Sequence, residues 1–436
     1  MRAPPRWPRR LASALVAAVL AAHCATNPVT GKSELSLVSV DEEKEMGRTS
    51  YGPTIQQSNG KVDDPPLQAY VNEVGLGLAK VSHAPNYEYV YTVVNANYDN
   101  AFALPGGKIC ITRGLLARMT NEDQLAGVLG HETGHVCARH GAAGQTRQMI
   151  TQGVMGVGGA VLGATGVSGG AYILQAAGVG SQLILQRYSR DQERQADELG
   201  MLYMSRAGYN PGGFVQAMEI LKAGHEQEPG KFDAMFQSHP LTSERIETSK
   251  QRLAQLYPQD AARAYKDARF KEVTRQLKAE VPAFKLADEG EKALANKDDK
   301  TAAAKFAEAS RLAPNQAILP ALQSLALLHL TDDKDALTRA RQAQKLDPGL
   351  YHANLVAGLA QFKERSWEGA IADLGKAEEA VGPQLVTSYL IGRSQEVLGQ
   401  REKAAERYAF VVKNAQQQDD NVAYCARKLT EWGYAK

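Results

Sequence analysis

The sequence predicts a mainly helical α+β protein: a mixed domain with one small sheet, followed by an all-α superhelix of helical repeats. Two observations carry this prediction. Strand-like runs cluster between Tyr87 and Thr112, and in the C-terminal third alanines recur every 34 residues at helix-compatible spacing. A chain of 436 residues also exceeds one ordinary hydrophobic core. Hydrophobic and charged contents of 44% and 22% are those of a folded globular protein. Lys and Arg number 50 against 48 acidic residues, so nucleic acid is not an expected partner.

The N-terminus stands apart. Arg2, Arg6, Arg9 and Arg10 precede an apolar stretch from Leu11 to Ala22, the layout of a secretory signal. That stretch is shorter than the roughly 20 apolar residues needed to span a bilayer. Cys24 follows, which fits lipid attachment at its sulfur or a plain cut nearby. The other cysteines, Cys110, Cys137 and Cys425, have no disulfide-framework or thiolate-metal spacing and read as buried or free thiols.

Helix-like spacing covers Asp41 to Ser58 and Pro66 to Val81. Tyr87 to Val94, rich in Tyr, Val and Thr, reads as a strand. The run Asn100 to Leu104, the turn Pro105-Gly106-Gly107 and the run Lys108 to Thr112 read as a hairpin. Thr120 with Asp123 three residues on gives a capping box for a helix running to about His140. Gln148 to Gln186 has no charged residue and is rich in glycine. A pair of packed helices is favoured over a membrane hairpin, because the glycines interrupt any apolar run. Ser189 to Gly208 reads as a helix stopped by Gly208, with Pro211 just beyond.

In the C-terminal third, Ala302, Ala336, Ala370 and Ala404 lie 34 residues apart. Phe306, Ala340, Leu374 and Tyr408 form a second column in phase, and Ala309, Ala343, Ala377 and Val411 a third. Pro314 and Pro348, and Gly358 and Gly392, keep the same period. This is the tetratricopeptide pattern of stacked helix pairs.

The chemistry lies in His131-Glu132-Thr133-Gly134-His135. Residues four apart share one helix face, so both imidazoles reach one metal ion. Neutral imidazoles suit zinc, one ion per chain, and a catalytic zinc needs three protein ligands and an open position. Glu132 stands where a carboxylate can take a proton from the attacking water. The third ligand is expected from Glu193. Asp197, one turn on, would accept a hydrogen bond from a ligand histidine and fix its tautomer.

With Arg139-His140-Gly141, the Asn-Ala-Phe-Ala-x-Pro-Gly-Gly stretch from Asn100, Glu193-x-x-x-Asp197 and Ser238-His239-Pro240-x-Thr242-x-x-Arg245, the chain resembles the HtpX and CAAX prenyl endopeptidase family of zinc metallopeptidases. Its helical repeats make it most similar to the secreted members. The resemblance implies a zincin-like domain with zinc held by His131, His135 and Glu193, and Glu132 as catalytic acid and base. It implies that the strand with Asn100, Ala101, Phe102 and Ala103 pairs with an extended substrate. It implies that His239 lies near the metal as a regulatory ligand, and that Arg245 stabilises the oxyanion.

The expected organisation is a signal peptide at 1–24 ending on a candidate lipoprotein cysteine, a metallopeptidase domain at 25–256, a helical linker at 257–282, and tetratricopeptide repeats at 283–436. The implied function is proteolysis of misfolded or stalled outer-membrane proteins in the periplasm, with lipid anchoring to the outer membrane if Cys24 is modified. The implied partners are unfolded or misassembled envelope proteins, and the outer-membrane barrel assembly machinery through the repeats. A scaffold or chaperone with a largely latent protease site shares every one of these motifs.

Overall fold

A computed structural model describes residues 24–155 and 187–435. Residues 1–23 of the expected signal peptide lie outside the described residues, as does 156–186 of the glycine-rich segment. The chain opens with a small antiparallel hairpin, β1 (Cys24–Thr26) and β2 (Ser33–Leu35). Helix α1 (Val40–Gln57) follows, closed at its start by a Ser39–Glu42 capping box, and then α2 (Pro65–Lys80). The sheet has three strands, β3 (Val90–Val94), β4 (Ala101–Leu104) and β5 (Lys108–Thr112), in the order β3-β5-β4. β5 is central, parallel to β3 and antiparallel to β4, so the expected hairpin forms and β4 is left at an edge. α1 packs on the hairpin turn at Gly47, where a side chain would collide with the Pro105 carbonyl.

Short α3 (Arg113–Arg118) leads to α4 (Glu122–Cys137), which is buried along its whole length. Its cap is Asn121, whose side chain accepts from Gln124 N–H, and not the expected Thr120. Asp123 does not serve a capping box because tertiary contacts claim its carboxylate: it accepts from the backbone N–H groups of Asn210 and Lys266. The helix also ends earlier than expected. Arg139 takes a left-handed conformation (φ 54°), held there by its bonds to Glu43 and the Val38 carbonyl, and α5 (His140–Met155) restarts in a new direction.

Helix α6 (Arg190–Arg206) begins at a Ser189–Gln192 capping box and stops before Gly208, which has φ +80°. Then come α7 (Gly212–Gln227), α8 (Pro229–Ser238) and α9 (Ser243–Leu256). The segment expected to be a linker folds as α10 (Pro258–Ala261), α11 (Ala268–Val273) and α12 (Arg275–Ala279). Phe270 and Leu277 are buried in the same core as Tyr70, Leu125 and Tyr203, because burying those two side chains removes more apolar surface than a solvated bridge could.

The repeats are helix pairs: α13 (Val281–Ala295) with α14 (Asp299–Leu312), α15 (Ile318–His329) with α16 (Asp333–Leu346), α17 (Tyr351–Lys363) with α18 (Trp367–Val381), and α19 (Leu385–Val397) with α20 (Arg401–Asn414). Helix α21 (Asp420–Glu431) ends the array. The sequence columns are the crossings. A Cβ at Gly290, Gly358 or Gly392 would stand 2.6–2.7 Å from Phe306, Leu374 or Tyr408 respectively. Where the partner column holds the small Ala340, the glycine column carries Ser324 instead.

The two parts join through buried polar contacts. Arg113 donates to Glu280 at 2.8 Å and stacks on Phe284, while Gln316 bridges Glu280 to Asn95. Gln56, at the end of α1, accepts from the Tyr351 backbone. Cys110, Cys137 and Cys425 are buried free thiols.

Candidate metal centre

Helices α4 and α6 cross backbone to backbone, and that crossing builds the centre. Gly130 and Gly134 on α4 meet Gly200 and Ala196 on α6, and a Cβ at Gly200 would sit 2.9 Å from His131 N. Only glycines allow so close an approach, which sets Asp197 and Glu193, one and two turns back along α6, beside His131 and His135.

His131, His135, Glu193 and His239 each offer one buried donor atom, all within 4.8 Å of one another. The Nε2 atoms of His131 and His135 are 3.1 Å apart, and Glu193 oxygens lie 3.7 and 3.3 Å from them. His239 Nδ1 completes the group, 3.0 Å from Glu193 and 3.4 Å from His131 Nε2. Burial holds the His135 pKa well below the usual range, with Glu193 opposing, and this keeps the ring neutral. Burial alone would raise Glu193, but the surrounding histidines, His239 foremost, bring it well below the usual carboxylate range.

The outer nitrogen of His131 lies beside a carboxylate, and that of His135 is hydrogen-bonded to another ring. His131 Nδ1 lies 3.0 Å from Asp197. His135 Nδ1 lies 2.9 Å from His140 Nδ1, whose Nε2 lies 3.0 Å from Gln195 Oε1. Burial pushes the His140 pKa down to about 4, so this ring too is neutral. The consistent proton assignment is His135 Nδ1–H donating to His140 and His140 Nε2–H donating to Gln195. Each ligand histidine then turns its Nε2 lone pair inward.

The donor set passes the test for a metal. Two imidazole lone pairs and a carboxylate converge, and both oxygens of buried Glu132 lack a hydrogen-bond partner among the described residues. Orienting partners of this kind typically change metal affinity by about 10–100-fold. His140→Ala is therefore expected to weaken metal binding by about that factor, measured by competition with a chelator.

Arg245 departs from the expected oxyanion role. Its fork donates to both Asp197 oxygens, at 2.9 and 2.6 Å, and a further nitrogen reaches Pro240 O and Glu193. These bonds position the two carboxylates. Two of the four expected substrate-strand residues are also engaged elsewhere. Asn100 O accepts from Thr112 N–H and Phe102 is paired with Cys110, so their main-chain groups face β5. Alternation turns those of Ala101, which is buried, and of half-buried Ala103 to the outer edge of β4.

Three contributors were not legible beforehand. His140 needs the break at Arg139 to fold back on His135. Gln195 has no signal beyond lying on the Glu193 helix. Tyr188 stacks on His135 with centroids 3.9 Å apart and donates its backbone N–H to Ser238 O, the residue before His239. An aromatic residue directly preceding the α6 cap was the only hint of it.

This fold and donor set define a class: a metallopeptidase domain with an HExxH helix and a carboxylate third donor. Residues 65–253 match the model of peptidase family M48, and that segment is a peptidase family M48 domain. The chain is 27% identical over 248 residues to the Beta-barrel assembly-enhancing protease of Escherichia coli (strain K12), covering 56% of this chain and 50% of that protein. It is 29% identical over 226 residues to the Mitochondrial metalloendopeptidase OMA1 of Schizosaccharomyces pombe, covering 51% and 65%. The chain spans about half the length of the β-barrel assembly-enhancing proteases it matches. Among solved structures, a thermophilic TPR protein of Thermus thermophilus matches 50% of this chain and 99% of its own, with 16% identity and a TM-score of 0.28.

Proposed function

We propose that this chain is a zinc-dependent endopeptidase of the bacterial cell envelope that hydrolyses misfolded or stalled outer-membrane proteins and holds clients or partners with its repeats. One observation carries the chemistry: the donors of His131, His135 and Glu193 converge beside an unpartnered, buried Glu132. The name of the Escherichia coli relative, a β-barrel assembly-enhancing protease, supports the substrate class. Among the described residues no helix is long and apolar enough to cross a membrane, and on this reading Cys24 carries a lipid anchor. A detergent-partition shift abolished by Cys24→Ser tests that anchor.

Zinc held by His131, His135 and Glu193 supplies Lewis acidity to the scissile carbonyl and the attacking water. Glu132 takes the water's proton on a carboxylate oxygen and returns it to the leaving nitrogen. Asp197 and His140 hold the two imidazoles in their ligating tautomers, and Arg245 braces Asp197 and Glu193. The Ala101 and Ala103 main chain bonds an extended substrate at the outer edge of β4.

His239 belongs to the donor cluster, with Nε2 3.7 Å from Glu132, and on this reading it fills the position open to substrate and water. It therefore keeps the site latent until it withdraws. His239→Ala should raise kcat/KM on an unfolded substrate on the order of tenfold, the inverse of the fraction already open. An unchanged or lower rate would defeat the plug. The same closure favours a second reading, a scaffold whose protease is seldom used. Full function from Glu132→Gln in cells lacking the parent chain would decide for it.

A further inference from the structure

His140 reaches His135 because the chain breaks at Arg139, and the break is gripped by residues from outside the HExxH helix. These come from the stretch 27–43, which precedes the residues 65–253 that match the family. Buried Asn27 donates its Nδ2–H to the carbonyl of Ala138, the residue that closes α4, at 3.2 Å. The Arg139 side chain donates to Glu43 Oε2 at 3.0 Å and to Val38 O at 2.8 Å. Beyond the break, Leu37 N–H donates to Thr146 Oγ1 of α5 at 3.0 Å. One short stretch thus holds the end of α4, the break itself and the start of α5.

Asn27 is fixed before it meets Ala138. Its Oδ1 accepts from Val29 N–H at 2.9 Å and from Thr30 N–H at 3.3 Å, closing a side-chain turn. Its main chain bonds Lys32 and Gly31, and Val29 packs on the core of the peptidase domain. Nδ2 also donates to Glu34 Oε1 at 3.0 Å. With both ends of the amide committed, Nδ2 has one orientation to offer.

We infer that Asn27 is a positioning residue for the metal centre: its bond to Ala138 O sets the direction in which α5 restarts, and so places His140 Nδ1 against His135 Nδ1. This rests on the metal-binding part of the reading above. A helix end leaves its last carbonyls without intrahelical donors, so the orientation of the Ala138 peptide depends on what donates to it. Rotation of that peptide swings Arg139 and His140 away. His135 then loses the ring that fixes its tautomer, and its Nε2 loses its aim at the metal. The stretch 27–43 acts as a strap on the centre, so residues ahead of the matched domain help to hold the ion.

The test is the zinc affinity of the mature chain, by competition with a chelator, in a cycle of Asn27→Asp and His140→Ala. Asn27→Asp keeps an oxygen for Val29 and Thr30 but sets an acceptor against Ala138 O in place of the donor. It should weaken zinc binding by about tenfold, the lower end of what orienting partners contribute. The cobalt(II) form of the variant should show altered visible bands, which report donor geometry and not fold stability. Because Asn27 acts through His140, the double variant should bind zinc no more weakly than His140→Ala alone. Thr30→Ala loosens the hairpin at Glu34 and Lys32 but spares the Ala138 bond, and should bind zinc as the parent does. Circular dichroism establishes that each metal-free variant is folded, and Asn27→Ala replaces Asn27→Asp in the cycle if the latter is not. Losses that multiply in the double variant, an affinity unchanged by a folded Asn27 variant, an equal loss in Thr30→Ala, or unfolding of both Asn27 variants would overturn the positioning role and leave the metal centre standing. A folded parent that binds no zinc would overturn the centre and this inference with it.

Discussion

Glu132→Gln is expected to lower peptide hydrolysis by about 10²–10⁴-fold while the chain keeps one zinc. The amide matches the carboxylate in size, so the fully buried position is filled without a cavity. What is lost is the ability to take a proton from water and return it to the leaving nitrogen. Neither Glu132 oxygen is bound to another protein group among the described residues, so no structural bond is broken by the change. Metal analysis of the purified variant, beside kcat/KM on an unfolded substrate, checks both halves. A variant that loses zinc would make Glu132 part of the metal's support. A variant that keeps full activity would remove it from the reaction.

Glu193→Ala should cost the metal itself. Glu193 faces both ligand imidazoles and His239, so truncation leaves two nitrogens without the anionic donor that completes the set. The loss should exceed the roughly 100-fold ceiling seen for orienting partners such as His140. Arg245 would keep Asp197 but lose its contact with Glu193, so some loss of metal-free stability is also expected. The deciding comparison is thermal. Zinc should raise the parent's Tm by binding only the folded state, and should not raise that of the variant. A zinc-dependent rise in the folded variant equal to the parent's would mean another group supplies the third donor. Glu193→Gln, which keeps an oxygen at the same position, should retain more zinc than Glu193→Ala.

These expectations draw on two kinds of information. His131 and His135 were readable together because the α-helix repeats every 3.6 residues, which fixes their common face wherever the helix lies. The Ser189 cap and the Gly208 stop of α6 were readable for the same local reason. The repeat columns were readable because each layer must solve the same crossing, a small residue against a larger one, every 34 residues.

The capping box at Thr120 shows where local reading ends. Asp123 fits the pattern, yet the backbones of Asn210 and Lys266, distant in sequence, hold its carboxylate, and Asn121 caps the helix instead. Arg245 shows the same at the centre. Its charge suited an oxyanion until the fold set Asp197 and Glu193 against it.

The sequence by itself determined the helix bearing the two histidines, the acidic helix that follows them and the period of the repeats. These depend on backbone geometry over a few residues, or on one crossing used again and again. Only the tertiary structure decided which partners meet. The glycine crossing of α4 and α6 brings Glu193 to the histidines, the break at Arg139 turns His140 onto His135, and the packing of α9 commits Arg245 to the carboxylates. Such pairings join residues far apart in the chain, and their distances are set by how closely backbones approach, which no short pattern records.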